Sequence, residues 1–309
     1  MRSSALVVFA ASLSLLAGCS RAAAPKEDAG EVAWDQSTSS TAKAVPVTSE
    51  SATTSANPNL GFDRNDYPGD DTMAAMRKQF GFTGFWINNP PGATSNNWHG
   101  KRTLLRGQGW GFLVLFNGRL DAEILKSQKK GTAAAELGRK DASAAVAAAK
   151  VEGFPAGTIL FLDQEEGGRL LDEQAAYLLA WTEGVATSGY KPGVYASAQP
   201  VSDEPGTTID TVRDIRTRVK AQHLHEIAMF AAQDQCPPAP GCTAAAKPLS
   251  AAGEPDLIAW QYAQSPRRPE ITRSCAQTYA ADGNCYAKGF PGVFLDMDIA
   301  SSPDPSHGR

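Results

Sequence analysis

Eight short runs rich in β-branched and aromatic residues recur between alanine-rich or amphipathic stretches over residues 59–309, and this alternation constrains the fold more than any other feature of the chain. The runs are Leu60 to Asn65, Thr83 to Asn88, Gly111 to Asn117, Thr158 to Asp163, Gly193 to Ser197, Glu226 to Ala232, Leu257 to Tyr262 and Gly292 to Asp296. Helical patterns fall between them at Asp71 to Phe80, Lys101 to Gln108, Asp141 to Gly153, Asp172 to Gly189 and Thr208 to His223. Strand, helix, strand in repetition is the signature of a parallel sheet with crossover helices. Eight such units in this length predict an α/β fold of the closed (β/α)8, TIM-like kind, over an open sheet. The later units are less regular, because a Pro-, Ala- and Gly-rich segment, Cys236 to Pro255, stands where a helix is expected between the sixth and seventh strands.

The ends of the chain bound the rest. Arg2 is followed by an apolar run from Ala5 to Leu16 and then by Leu16-Ala17-Gly18-Cys19, the order of a bacterial lipoprotein signal peptide. The expectation is a signal peptide over residues 1–18, a lipid on Cys19, a flexible Ala-, Ser- and Thr-rich tether over 19–58 and a barrel domain over 59–309. The protein would then be exported and anchored to a bacterial membrane through Cys19. Removal of residues 1–18 takes away Arg2 and leaves 28 basic against 33 acidic residues, which argues against nucleic acid as a partner. Four cysteines remain, Cys236, Cys242, Cys275 and Cys285, an even number that suits two disulfides in an oxidising compartment. Nearest-neighbour pairing, Cys236 with Cys242 and Cys275 with Cys285, would staple two loops, but four cysteines permit three connectivities and the sequence leaves the choice open.

In barrels of this kind the chemistry gathers where strands end. The fourth run ends in Phe161-Leu162-Asp163-Gln164-Glu165-Glu166-Gly167-Gly168, three carboxylates in four residues. On an extended strand Asp163 and Glu165 project to one face. Two acids so placed cannot both ionise freely, and one becomes a proton donor near neutral pH, as hydrolysis of a glycosidic bond requires. Asp63 ends the first run, and Asp296 and Asp298 end the eighth. Asn88, Asn117, Glu166, Tyr195, Gln261 and Tyr262 end others, and Trp98 lies in the Pro90 to Gly100 loop, where exposure is expected. Amides, acids and aromatic rings are the side chains that hold sugars. No D-x-D-x-D-G loop or paired histidine predicts a metal, no cofactor motif is present, and no G-x-S-x-G marks a serine nucleophile.

Taken in order, Gly61-Phe62-Asp63, Asp163-Gln164-Glu165, Gly193-Val194-Tyr195-Ala196-Ser197, Trp260-Gln261-Tyr262 and Leu295-Asp296-Met297-Asp298 resemble the family 25 glycoside hydrolases, the muramidase-type lysozymes. The chain looks closer still to a group of exported glycoside-hydrolase-like barrels that share Gly61-Phe62-Asp63-Arg64 and Asp163-Gln164-Glu165-Glu166. The resemblance implies that Glu165 donates the proton, that Asp163 assists it, and that Asp63 and Asp296 complete an acidic floor. It also implies that the substrate's own N-acetyl group helps at the anomeric carbon. The strand-two and strand-three ends, Trp86-Ile87-Asn88-Asn89-Pro90 and Leu115-Phe116-Asn117-Gly118-Arg119, depart from the lysozyme pattern, so the floor matches while the walls differ. The expected function is hydrolysis of a cell-envelope or extracellular glycan, peptidoglycan among them. The alternative is a non-catalytic polysaccharide-binding barrel.

Overall fold

A computed structural model describes residues 57, 59–242, 247–269 and 273–309. The signal peptide, Cys19 and the tether expected from the sequence lie outside the described residues. Eight strands close into one barrel, as the alternation predicts: β1 (Leu60–Asp63), β2 (Phe82–Trp86), β3 (Gly111–Asn117), β4 (Ile159–Gln164), β5 (Lys191–Ser197), β8 (Ala228–Ala232), β9 (Leu257–Ala263) and β10 (Asp296–Ala300). A two-stranded hairpin, β6 (Val201–Ser202) with β7 (Thr208–Ile209), stands apart. The helices are α1 (Asp70–Met76), α2 (Arg102–Gly107), α3 (Asp121–Gln128), α4 (Ala134–Glu152), α5 (Asp172–Ala186) and α6 (Thr211–Ala221). No helix among the described residues is long and apolar enough to cross a membrane.

Strands β1 to β5, β8 and β9 run parallel, but β10 is antiparallel to both its neighbours, β1 and β9. The eighth strand therefore begins at Asp296, where the predicted one, Gly292 to Asp296, ends. The physical reason is the connection. Between β9 and β10 the described chain holds a single 3-10 turn, Arg273–Cys275, and no helix to carry it back across the barrel. A chain that has not crossed over re-enters from the edge it left and runs the opposite way.

Two helices also differ from expectation. Helix α4 starts at Ala134, and Asp141, which reads as a helix opener, lies buried within it. Its carboxylate is used by Arg119, through Nε to Oδ2 at 2.6 Å and Nη2 to Oδ1 at 2.8 Å, and by the Tyr177 hydroxyl at 2.9 Å. Helix α3, which apolar spacing did not reveal, is opened by Glu123 reaching back to the Leu120 N–H at 3.0 Å.

The core lies inside the barrel and between its strands and helices, with Phe62, Phe82, Phe112, Phe161 and Trp260 at the limit of burial. The C-terminal segment seals the far end: Ser306 Oγ accepts from the Val114 N–H, its carbonyl from the Ile159 N–H, and Asp304 from the Phe112 N–H. Two disulfides form, but not between nearest neighbours. Cys236 pairs with Cys275 and Cys242 with Cys285, with Cα separations of 4.9 and 5.2 Å. Strands β8 and β9 are barrel neighbours, so the loops that follow them lie side by side and each bridge joins one loop to the other.

Candidate active site

The strand ends open on a cleft of about 130 Å3 lined by Asp63, Asp163, Glu165, Tyr195, Gln261 and Asp296, with Asn65, Trp86, Phe230 and Gln264 in its walls. Asp63 closes β1, Asp163 is the penultimate residue of β4, and Glu165 is the first residue past it. Because β10 is reversed, its first residue rather than its last reaches the cleft, and Asp296 stands opposite Asp63 in register. Two glycines make the space. A Cβ on residue 84 would lie 2.5 Å from the Asp63 Cβ, and one on residue 118 would lie 2.5 Å from the Asp163 carbonyl oxygen.

Burial with several acids together pushes every carboxyl of the cleft upward. Asp63 is raised to about 6, burial outweighing hydrogen bonds from Gln261 and Asp298. Gln261 is fixed in orientation, since its Nε2 donates to Asp63 Oδ2 at 2.9 Å while its Oε1 accepts from the Tyr195 hydroxyl at 2.8 Å. Beneath Asp63 lies Asp298, fully buried, with no donor reaching either oxygen. Burial and then the neighbouring Asp63 and Asp296 push its carboxyl well above the ordinary carboxylate range. Asp163 is held up by burial and then by Glu165 and Asp63. Asp296 is held up by burial and Asp63, even though its Oδ1 accepts the Ser265 N–H at 2.6 Å. Glu165 leans from the lip and is the exposed member of the set. The wall it rests on raises it, and the Arg268 guanidinium opposes that rise. Tyr195 is pushed up by burial and the surrounding acids and retains its hydroxyl proton.

The arrangement thus pairs one exposed acid at the lip, Glu165, with a buried acidic floor that includes Asp63. Such a pair can protonate an oxygen and stabilise positive charge on the atom it leaves.

The remaining predicted residues fall in different places. Asn88 and Asn117 tie the ends of β2 and β3 together, Asn117 N–H to Asn88 Oδ1 at 2.7 Å and Asn88 Nδ2 to Asn117 O at 3.0 Å, and line an adjoining groove. Glu166 turns away and accepts the Asp121 N–H at 2.8 Å and the Gln174 side chain at 2.6 Å. Tyr262 is buried outside the cleft with its hydroxyl toward the Cys242 carbonyl. Trp98 is 0% exposed, contrary to expectation, because its ring packs edge-on to Tyr67 and Phe85 and its Nε1 donates to the Asn65 carbonyl at 2.9 Å. Gln264 and Phe230 reach the cleft without a sequence signal of their own; each belongs to an apolar run or its edge. Among the described residues no cluster of three or more His, Cys, Asp or Glu is disposed to hold a metal.

The described residues thus form a closed barrel with an acid-floored cleft at its strand ends. Residues 99–238 match the family model described as the Rv2525c-like, glycoside hydrolase-like domain, which bears out the resemblance read from the strand-end motifs. The matched stretch contains Asp163, Glu165 and Tyr195. Similar solved structures include an uncharacterised protein of B. stearothermophilus (20% identity, 78% of this chain and 95% of that one, TM-score 0.49). They also include the Tat-secreted protein Rv2525c of Mycobacterium tuberculosis (13%, 79% and 95%, TM-score 0.45). A third is the catalytic domain of endolysin ply40 from bacteriophage P40 of Listeria monocytogenes (15%, 81% and 97%, TM-score 0.44). No curated protein matches the chain.

Proposed function

We propose that this protein is an exported, lipid-anchored glycosidase that acts on a cell-envelope or extracellular glycan. The observation that carries the reading is the convergence of Glu165, Asp163, Asp63 and Asp296, from the ends of three strands, on one cleft. Glu165 gives its proton to the glycosidic oxygen as the bond to the anomeric carbon breaks. Ionised Asp63, steadied by Gln261, faces the positive charge that develops on the sugar, while Asp163 and Asp296 complete the floor. Water then takes up the anomeric carbon and returns a proton to Glu165. Anchoring through Cys19 rests on Leu16-Ala17-Gly18-Cys19, and export is supported further by the two disulfides.

A non-catalytic glycan-binding barrel is the second reading, favoured by the floor acids Asp163 and Asp296, whose carboxyls burial pushes well above the ordinary range toward the form that donates to sugar hydroxyls. Purified peptidoglycan and a panel of envelope polysaccharides, assayed for reducing-end release with the wild type and Glu165→Gln, separate the two. Release lost in the variant establishes hydrolysis. Retention of a glycan by both proteins without release establishes binding alone.

A further inference from the structure

The acidic cleft does not end at Glu165. On the other side of that side chain opens a larger groove of about 520 Å3, whose walls include Asn88, Asn117, Arg119, Leu120 and Glu123. Glu165 and Pro91 line both spaces. An acid at the boundary between two cavities protonates an oxygen at that boundary. The ring whose anomeric carbon meets the floor therefore occupies the cleft, and what leaves lies in the groove.

The chemistry of the groove states what it accepts. The Arg119 charge is balanced by the bidentate clamp to Asp141, itself braced by Tyr177. The guanidinium is 31% exposed and is thus a rigid, pre-oriented donor more than an anion trap. With Arg119 neutralised by Asp141, Glu123 leaves the groove with a negative surplus, which disfavours a carboxylate on the ligand. Leu120, 46% exposed, and Pro91 supply an apolar patch suited to the C–H face of a sugar ring. We infer that this groove is a second sugar subsite that takes an uncharged pyranose and rejects a uronate. Its role as the leaving-group subsite rests on the hydrolase reading; its selectivity does not.

The test is calorimetric titration of the full chain with two neutral probes, cellotetraose and a thio-linked N-acetylglucosamine tetramer, and one uronate probe, hyaluronan tetrasaccharide. The expected result is that at least one neutral probe binds about tenfold or more tightly than the uronate probe, and that Leu120→Ala weakens it about fivefold. Leu120 is a surface residue, so the variant folds. Equal or tighter binding of the uronate, no effect of Leu120→Ala, or failure of both neutral probes to bind overturns the assignment. Failure of the hydrolase reading shows separately, as intact neutral-over-uronate selectivity without reducing-end release.

Discussion

Asp63 and Asp296 face each other as register partners across an antiparallel strand pair, the one place in the barrel where a strand's first residue meets another strand's last at the functional edge. Were β10 parallel, Asp296 would need to be its final residue, and Met297 to Ala300 would fall beyond the barrel. Reversal instead places Asp298, fully buried, opposite Gly61. One change of strand direction thereby brings Asp296 to the floor and a buried acid close behind it.

Gln261 sets the acid limb of the pH profile. Its amide favours ionised Asp63, so Gln261→Leu raises the Asp63 pKa above about 6. If hydrolysis needs Asp63 ionised, the acid limb of kcat/KM moves to higher pH in the variant. A limb that stays in place or moves to lower pH counts against the role given to Asp63.

Stability should fall as pH rises from 3.8 through about 6. Asp63 titrates near 3.8 when unfolded and near 6 in the barrel. The stability tied to its proton is therefore complete below pH 3.8 and lost as pH climbs through about 6, a change on the order of 3 kcal/mol. Asp163, Asp296 and Asp298 act in the same direction. Denaturant unfolding at pH 5 and pH 7.5 measures the difference, and Asp63→Asn reduces it. A barrel more stable at the higher pH would contradict the protonated floor.

Gly84→Ala places a methyl against the Asp63 Cβ in a packed interior. The expected cost is about 1–3 kcal/mol, with loss of turnover beyond what the stability change explains, because Asp63 must move. Thermal unfolding beside kcat on any glycan that is cleaved checks both. Full activity in a folded variant would show that the Asp63 position tolerates displacement.

Replacing Cys236 and Cys275 by serine removes one of the two bridges between the loop after β8 and the loop after β9, which bear Asp234 and Arg268, joined by a 2.9 Å hydrogen bond. We expect a loss of about 2–4 kcal/mol in unfolding free energy with the barrel retained by circular dichroism. Because Arg268 opposes the rise of Glu165, the basic limb of the activity profile should also move upward if the loop relaxes. An unchanged Tm and profile would make the bridge dispensable.

Sequence alone determined the number of strands, the barrel class and the acids Asp63, Asp163, Glu165 and Asp296 that meet in the cleft, because apolar runs and polar strand ends are local patterns, readable wherever residues near in the chain act together. It also determined that four cysteines would form two bridges. Only the tertiary structure decided which cysteine meets which, since pairing depends on β8 and β9 being neighbours. It decided the reversal of β10, which follows from a crossover that is not made. It decided too that Trp98 and Tyr262 are buried and that Glu166 serves helix starts, for a side chain at a strand end has two directions to turn and only its packed neighbours select one.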